Sequence, residues 1–123
     1  MKNLTKAEEN VMQALWGIEK GFVKDILDEL PEPKPKYNTI STIVRILEKK
    51  GFVNHKTYGK SHQYSPIVSR EDYTRFSLRR LLQNYFGNSF KNLVHFCSQQ
   101  QDLDIREVED VIEMLKKVQE KNR

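Results

Sequence analysis

Apolar residues recur along this chain at helical spacing, in stretches separated by glycine, proline and polar breaks. Ala7, Val11, Met12, Leu15 and Trp16 form a first stripe. Thr5 and Glu8 precede it in the T-x-x-E pattern of a capping box. Gly17 and Gly21 bracket its end. Phe22-Val23 is read as a short extended lead-in to a second helix, marked by Val23, Ile26, Leu27 and Leu30 and ended by Pro31. The outer face of that helix carries Asp25, Asp28 and Glu29, which phosphates would repel. A stiff connector, PEPKPK, fills residues 31 to 36. Ile40, Ile43, Val44 and Leu47 then predict a third helix, with Asn38 as its N-cap and Gly51 after its end.

The pattern changes after Gly51. Phe52-Val53 and Gln63-Tyr64 flank a polar turn, Thr57-Tyr58-Gly59-Lys60, which reads as a hairpin. Three helices followed by a hairpin predict a winged helix-turn-helix over residues 1–67. Helical stripes resume downstream: Tyr73, Phe76, Leu78, Leu81, Leu82 and Tyr85; then Phe90, Leu93, Val94 and Cys97. A polar connector at 99–102 leads to Ile105, Val108, Ile112 and Leu115 at coiled-coil-like spacing. Asp104 and Glu107 form a second cap pattern there. The fold class expected is mainly α with a small β-hairpin. These last helices carry more apolar faces than one small subunit can cover, so residues 68–123 are read as a dimerisation region. Its contacts are assigned to Tyr73, Phe76, Leu81, Tyr85, Phe90, Leu93, Ile105, Val108, Ile112 and Leu115.

Charge locates the candidate chemistry. The net charge of the 123 residues is only +4. Between residues 34 and 62, however, Lys34, Lys36, Arg45, Lys49, Lys50, Lys56 and Lys60 stand against a single acid, Glu48. A local basic patch on a chain otherwise net acidic points to a polyanion, here double-stranded DNA. Asn38, Thr39, Ser41, Thr42 and Arg45 lie opposite the apolar stripe of the third helix and are the candidates for base contacts. Lys36, Lys49, Lys50, Lys56, Lys60 and His62 are the candidates for phosphate and wing contacts, and Lys34 is placed near the DNA backbone.

Other functional classes find little support. His55, His62 and His95 are scattered and none sits in a metal-ligand spacing. Cys97, the one cysteine, permits no internal disulfide and is read as a small buried hydrophobe. No phosphate loop or nucleophile elbow occurs, so no enzyme, metal or cofactor is expected. Without a signal-like leader or an 18-residue apolar run, the chain reads as cytoplasmic, with no membrane partner. Two alternatives remain. One is a winged helix used for protein interaction. The other is a small-molecule pocket between the dimerisation helices, lined by Tyr73, Phe76, Tyr85, Phe86, Phe90 and Phe96.

The stretch NTISTIVRILEKKGFVNHKTYGKSHQYSPIVSREDY, with the early pattern L-T-x-A-E-x-x-V-M-x-x-L-W from Leu4 to Trp16, resembles the penicillinase-repressor family of winged-helix regulators (the BlaI/MecI/CopY type). Thr39, Thr42 and Lys50 match that family's T-[VI]-x-T…K-G pattern. The resemblance implies a cytoplasmic homodimer that binds a palindromic operator and represses resistance genes. It also implies release through a membrane sensor protease and cleavage at an Asn-Phe bond. Three departures stand out. Family members often carry arginine just before the leucine matched by Leu47, whereas this chain has Ile46 there and Arg45 one position earlier. That shift turns a side chain by about 100° around a helix. The stretch matching the cleaved region, Asn92 to Cys97, contains no Asn-Phe bond, and an ungapped match sets Phe96-Cys97 there. Copper-responsive relatives carry paired Cys-x-Cys motifs, and Cys97 alone cannot supply them.

Overall fold

A computed structural model describes residues 1–100 and 104–122. The helices are α1 (Lys6–Ile18), α2 (Val23–Glu29), α3 (Tyr37–Lys49), α4 (Arg70–Tyr85), α5 (Phe90–Gln99) and α6 (Ile105–Lys121). Between α3 and α4 run β1 (Val53–Tyr58) and β2 (Ser61–Pro66), one antiparallel hairpin. The chain is thus mainly helical with a small hairpin. It divides into two compact units, Met1–Leu78 and Arg79–Arg123.

In the first unit the predicted stripes meet. Val11, Met12 and Leu15 of α1, Ile26 of α2, and Ile40, Val44 and Leu47 of α3 are fully buried together with Phe52 and Val53. Helix α1 begins as its sequence dictates: the Thr5 hydroxyl accepts from the Glu8 N–H at 3.2 Å, and the Glu8 carboxylate accepts from the Thr5 N–H at 2.8 Å. Its other end differs from expectation. Gly17 lies inside the helix, and Glu19 caps it at φ 71°, a region that L side chains rarely adopt. Ala7, placed in the apolar stripe, is exposed. Helix α3 starts two residues earlier than read, with Lys36 rather than Asn38 as N-cap. The expected extended lead-in lies one residue earlier, at Gly21 and Phe22, and Val23 is already helical.

The hairpin is longer and its turn tighter than the sequence suggested. Pairing runs from Val53↔Pro66 to Tyr58↔Ser61, leaving Gly59-Lys60 as a two-residue turn. Gly59 has φ +61° and Lys60 does not share the positive φ, the II′ arrangement that suits a right-twisted hairpin. Gly21 joins the hairpin from outside: its N–H donates to the Tyr64 carbonyl at 2.9 Å and its carbonyl accepts from the Tyr64 N–H at 2.8 Å.

The core of this unit runs past residue 67 into α4. Tyr73 and Phe76, assigned above to dimerisation, complete it instead. Tyr73 is 8% exposed, its ring lies 5.8 Å from Phe52, and its hydroxyl accepts from the Leu4 N–H at 3.0 Å. Phe76 packs partly buried against the same cluster, 5.9 Å from Tyr73. Both belong to the first turns of α4, where the apolar stripe meets the winged helix before it meets anything else. Trp16, the last residue of the α1 stripe, joins the same cluster, partly buried. It sits beside Tyr73, donates its indole N–H to the Val68 carbonyl at 2.9 Å, and lies under the Arg70 guanidinium at 5.8 Å.

The second unit holds its helices by local caps. Ser89 accepts from the Asn92 N–H, and Asp104 accepts from the Arg106 N–H. Gly87 and Asn88 both take positive φ and end α4, as their sequence suggests. Gln99 belongs to α5, and residues 101 and 102 of the expected connector lie outside the described residues. No residue of α5 or α6 is buried within the chain. Cys97 is half-buried rather than enclosed. Among the described residues no helix is long and apolar enough to cross a membrane.

One ion pair ties α1 to the end of α3. Glu8 is 4% exposed, and its carboxylate takes the Lys50 ammonium at 2.7 Å. Burial by itself raises the Glu8 pKa. The hydrogen bonds from Lys50 and Thr5, with the Lys50 charge, outweigh it and hold the carboxyl below the ordinary glutamate range. A depressed folded-state pKa contributes stability that is complete above the unfolded value and is lost as pH falls through the folded one. Glu8→Gln is therefore expected to lose about 2 kcal/mol at pH 7. Its gap from wild type should close as pH drops through the acid range, which urea midpoints at pH 7, 5 and 3 would read.

Candidate nucleic-acid interface

Helix α3 has 13 residues, and its buried stripe turns the opposite face outward. The hairpin is fixed beside that face by its bonds to Gly21 and by the ring of Tyr58, 6.0 Å from Phe22. Between them opens a groove of about 550 Å³. Tyr37, Asn38, Ser41 and Arg45 line it from α3, and Lys60, Ser61, His62 and Tyr64 from the hairpin. Phe22, Val23, Lys24 and Asp25 close the third side at the start of α2. Lys24, Arg45 and Lys60 are cationic, and Asp25 is the acid among the lining residues. The Asp25 carboxylate is engaged in capping α2, accepting from the Phe22 N–H at 2.9 Å.

Five of the residues nominated from sequence therefore share one groove: Asn38, Ser41, Arg45, Lys60 and His62. The others are distributed around it. Thr42 is exposed on α3 with its hydroxyl donating to the Asn38 carbonyl at 3.0 Å, which leaves its oxygen as an acceptor. Thr39 faces a separate cleft, shared with Asn10, Pro33 and Pro35. Lys36 and Lys49 are exposed at the two ends of α3. Lys56 is exposed on the hairpin, 5.7 Å from the Tyr58 ring centroid.

Two lysines have other employment. Lys50, nominated for phosphate, holds the buried Glu8 as described above. Lys34, placed near the DNA backbone, directs its ammonium at the end of α2, donating to the carbonyls of Leu27, Asp28 and Leu30 at 2.9 to 3.0 Å. It supplies partners for carbonyls that a helix C-terminus leaves open.

The wing carries a histidine pair. His55 meets the Glu48 carboxylate at 2.6 Å, and its ring lies 4.3 Å from that of His62. His62 is itself 3.2 Å from the Thr57 hydroxyl. Tyr64 forms the floor between hairpin and α3. Burial pushes its phenol above the ordinary range, with Glu48 and Tyr37 adding to that and Arg45 opposing it.

Lys24, Tyr37 and Tyr64 were missed by sequence reasoning. Tyr37 was findable: with Ser41 and Arg45 it stands at i, i+4 and i+8, one face of a helix. Lys24 carried no local signal, because its helix reads as an acidic support and meets the wing through Gly21 and Phe22, far from the wing in sequence. Of the aromatics suggested for a ligand pocket, Tyr73 and Phe76 pack into the winged-helix core, and Phe86 and Phe96 pack on each other at 5.6 Å.

Comparison with known proteins agrees with this architecture. The methicillin resistance regulatory protein MecI of Staphylococcus aureus (strain N315) is 28% identical over 117 residues, which span 93% of this chain and 94% of MecI. The solution structure of the DNA binding domain of the repressor BlaI matches 59% of this chain and 94% of that domain, with 30% identity and a TM-score of 0.50. The complex structure of hsRosR-S4 covers 95% of this chain and 92% of its own, with a TM-score of 0.56 at 20% identity, a likeness of fold. A family model, that of the penicillinase repressor, matches residues 4–117. With a basic groove between a recognition-type helix and a wing, and that model spanning nearly its whole length, this chain belongs to the penicillinase repressor family.

Proposed function

We propose that this protein is a sequence-specific DNA-binding transcriptional repressor that acts as a homodimer on an inverted-repeat operator. The observation that carries the reading is the groove in which Asn38, Ser41 and Arg45 of α3 face Lys60 and His62 of the hairpin. A helix of this length fits the major groove, and polar side chains on its outer face reach base edges there. Lysines at the wing and helix ends neutralise the flanking phosphates. Membership of a repressor family supports the regulatory sense of the binding, in which an occupied operator excludes polymerase from the promoter.

The second unit supports pairing with an identical chain. Leu81, Tyr85, Phe90, Ile105, Val108, Ile112 and Leu115 are all exposed within the single chain, and Leu93 is half-buried. An apolar surface of that extent needs a cover in water, and two-fold pairing supplies one with the same patch on both partners. The reading needs no sensor protease. The Asn92–Cys97 stretch lies within α5 and contains no Asn-Phe bond.

Selection of bound duplexes from a random pool at fixed salt tests DNA binding and symmetry together. Two inverted half-sites about one helical turn apart, or a multiple of it, are expected. Recovery of isolated half-sites by a monomer would defeat the dimer reading. Single substitutions separate the two kinds of contact. Arg45→Ala should cost about 1–3 kcal/mol on the selected operator and relax preference at one base position. Equal loss on random duplex would move Arg45 to the backbone. Lys60→Ala should weaken binding to every sequence and lower the salt slope by about one, and an unchanged slope would take the wing lysine out of the interface.

A further inference from the structure

One polar group in the groove is unaccounted for. Tyr64 is 3% exposed, yet its hydroxyl has no hydrogen-bond partner among the described residues. It is not sealed in, because Tyr64 is part of the groove wall and no enclosed side-chain oxygen or nitrogen among the described residues lacks a partner. The ring is wedged in place by His55 at 5.7 Å and His62 at 6.3 Å, and its backbone is pinned on both sides by Gly21. A buried side chain with a fixed ring and a free donor is built to meet something that enters the groove. A phenol both donates and accepts. The groove around it is lined by Lys24, Arg45, Lys60 and His62, with the Asp25 carboxylate turned to the Phe22 N–H; Glu48 and Arg45 are the charges that act on the phenol itself. The Glu48 carboxylate is engaged by His55 at 2.6 Å, so the cations of the lining remain to attract an anion.

We propose that the Tyr64 hydroxyl donates a hydrogen bond to a phosphodiester oxygen of the bound duplex, so that the groove floor fixes the backbone strand beside the base-reading face of α3. This rests on the DNA-binding reading above and adds to it a positioning contact that carries no charge. A tyrosine phenol is protonated at neutral pH, as a donor must be. Preorganisation does the rest, because a ring held by its neighbours loses little freedom on binding.

Tyr64→Phe in the full chain is the test. It removes a hydroxyl that bonds to nothing in the free protein, so the melting temperature should stay at the wild-type value. Affinity should fall about tenfold on the selected operator and by the same factor on random duplex. The salt slope should not change, since a neutral donor releases no counterion. In wild type, a methylphosphonate placed at one phosphate per half-site should produce a matching loss that Tyr64→Phe no longer shows. Wild-type affinity in the Phe variant, or a loss confined to the operator, would overturn the assignment. If the variant melted early, the methylphosphonate scan of the wild-type chain would decide alone, and the absence of any sensitive phosphate would overturn it. A wild-type chain that bound no duplex would instead remove the DNA-binding reading itself.

Discussion

The candidate interface depends on two hydrogen bonds between Gly21 and Tyr64. A two-stranded hairpin is marginal in water without something to pack on. Here the bonds to Gly21 give the hairpin a third backbone partner and hold it at the start of α2. Glycine is required there by space rather than by dihedral angle. A Cβ at position 21 would lie 2.7 Å from the Ile18 side chain and 3.0 Å from the Asp25 Cβ. The hairpin anchor, the α2 cap by Asp25 and the groove wall are thus parts of one close approach.

The first unit economises on charge. Lys34 spends its ammonium on the carbonyls ending α2, and Lys50 spends its own on Glu8. Both lie in the basic stretch that the sequence marks between residues 34 and 62. What remains for a polyanion is a smaller set arranged around the groove and the ends of α3. On the proposed reading, fewer indiscriminate phosphate contacts leave a larger share of the binding to geometry and base edges.

Local order was legible in the sequence. The Ile40, Val44 and Leu47 stripe, the Thr5–Glu8 capping box, the end of α4 at Gly87-Asn88 and the Asp104 cap all rest on spacings of a few residues. So did the facing of Asn38, Ser41 and Arg45. The errors share a cause, which is separation along the chain. Leu4 bonds to Tyr73 across 69 residues, and Lys50 reaches Glu8 across 42. Neither partner carries any mark of the other. A lysine beside a recognition helix looks the same whether it waits for a phosphate or already holds a glutamate. Likewise, the apolar stripe of α4 has one period, but its first turns and its last turns serve different units.

That division of α4 changes what counts as the separable module. A fragment cut at residue 67 would keep every element of the winged helix and lose Tyr73 and Phe76. Phe52 and Trp16 would then be stripped of their neighbours, and the Leu4 N–H of its acceptor. The natural seam lies inside a helix, near Leu78, and not in the loop before it. Recombination between relatives that exchanged reading heads at the loop would break an aromatic core. Exchange within α4 would leave that core whole, so heads and tails of this architecture can be shuffled cleanly only through the middle of a helix.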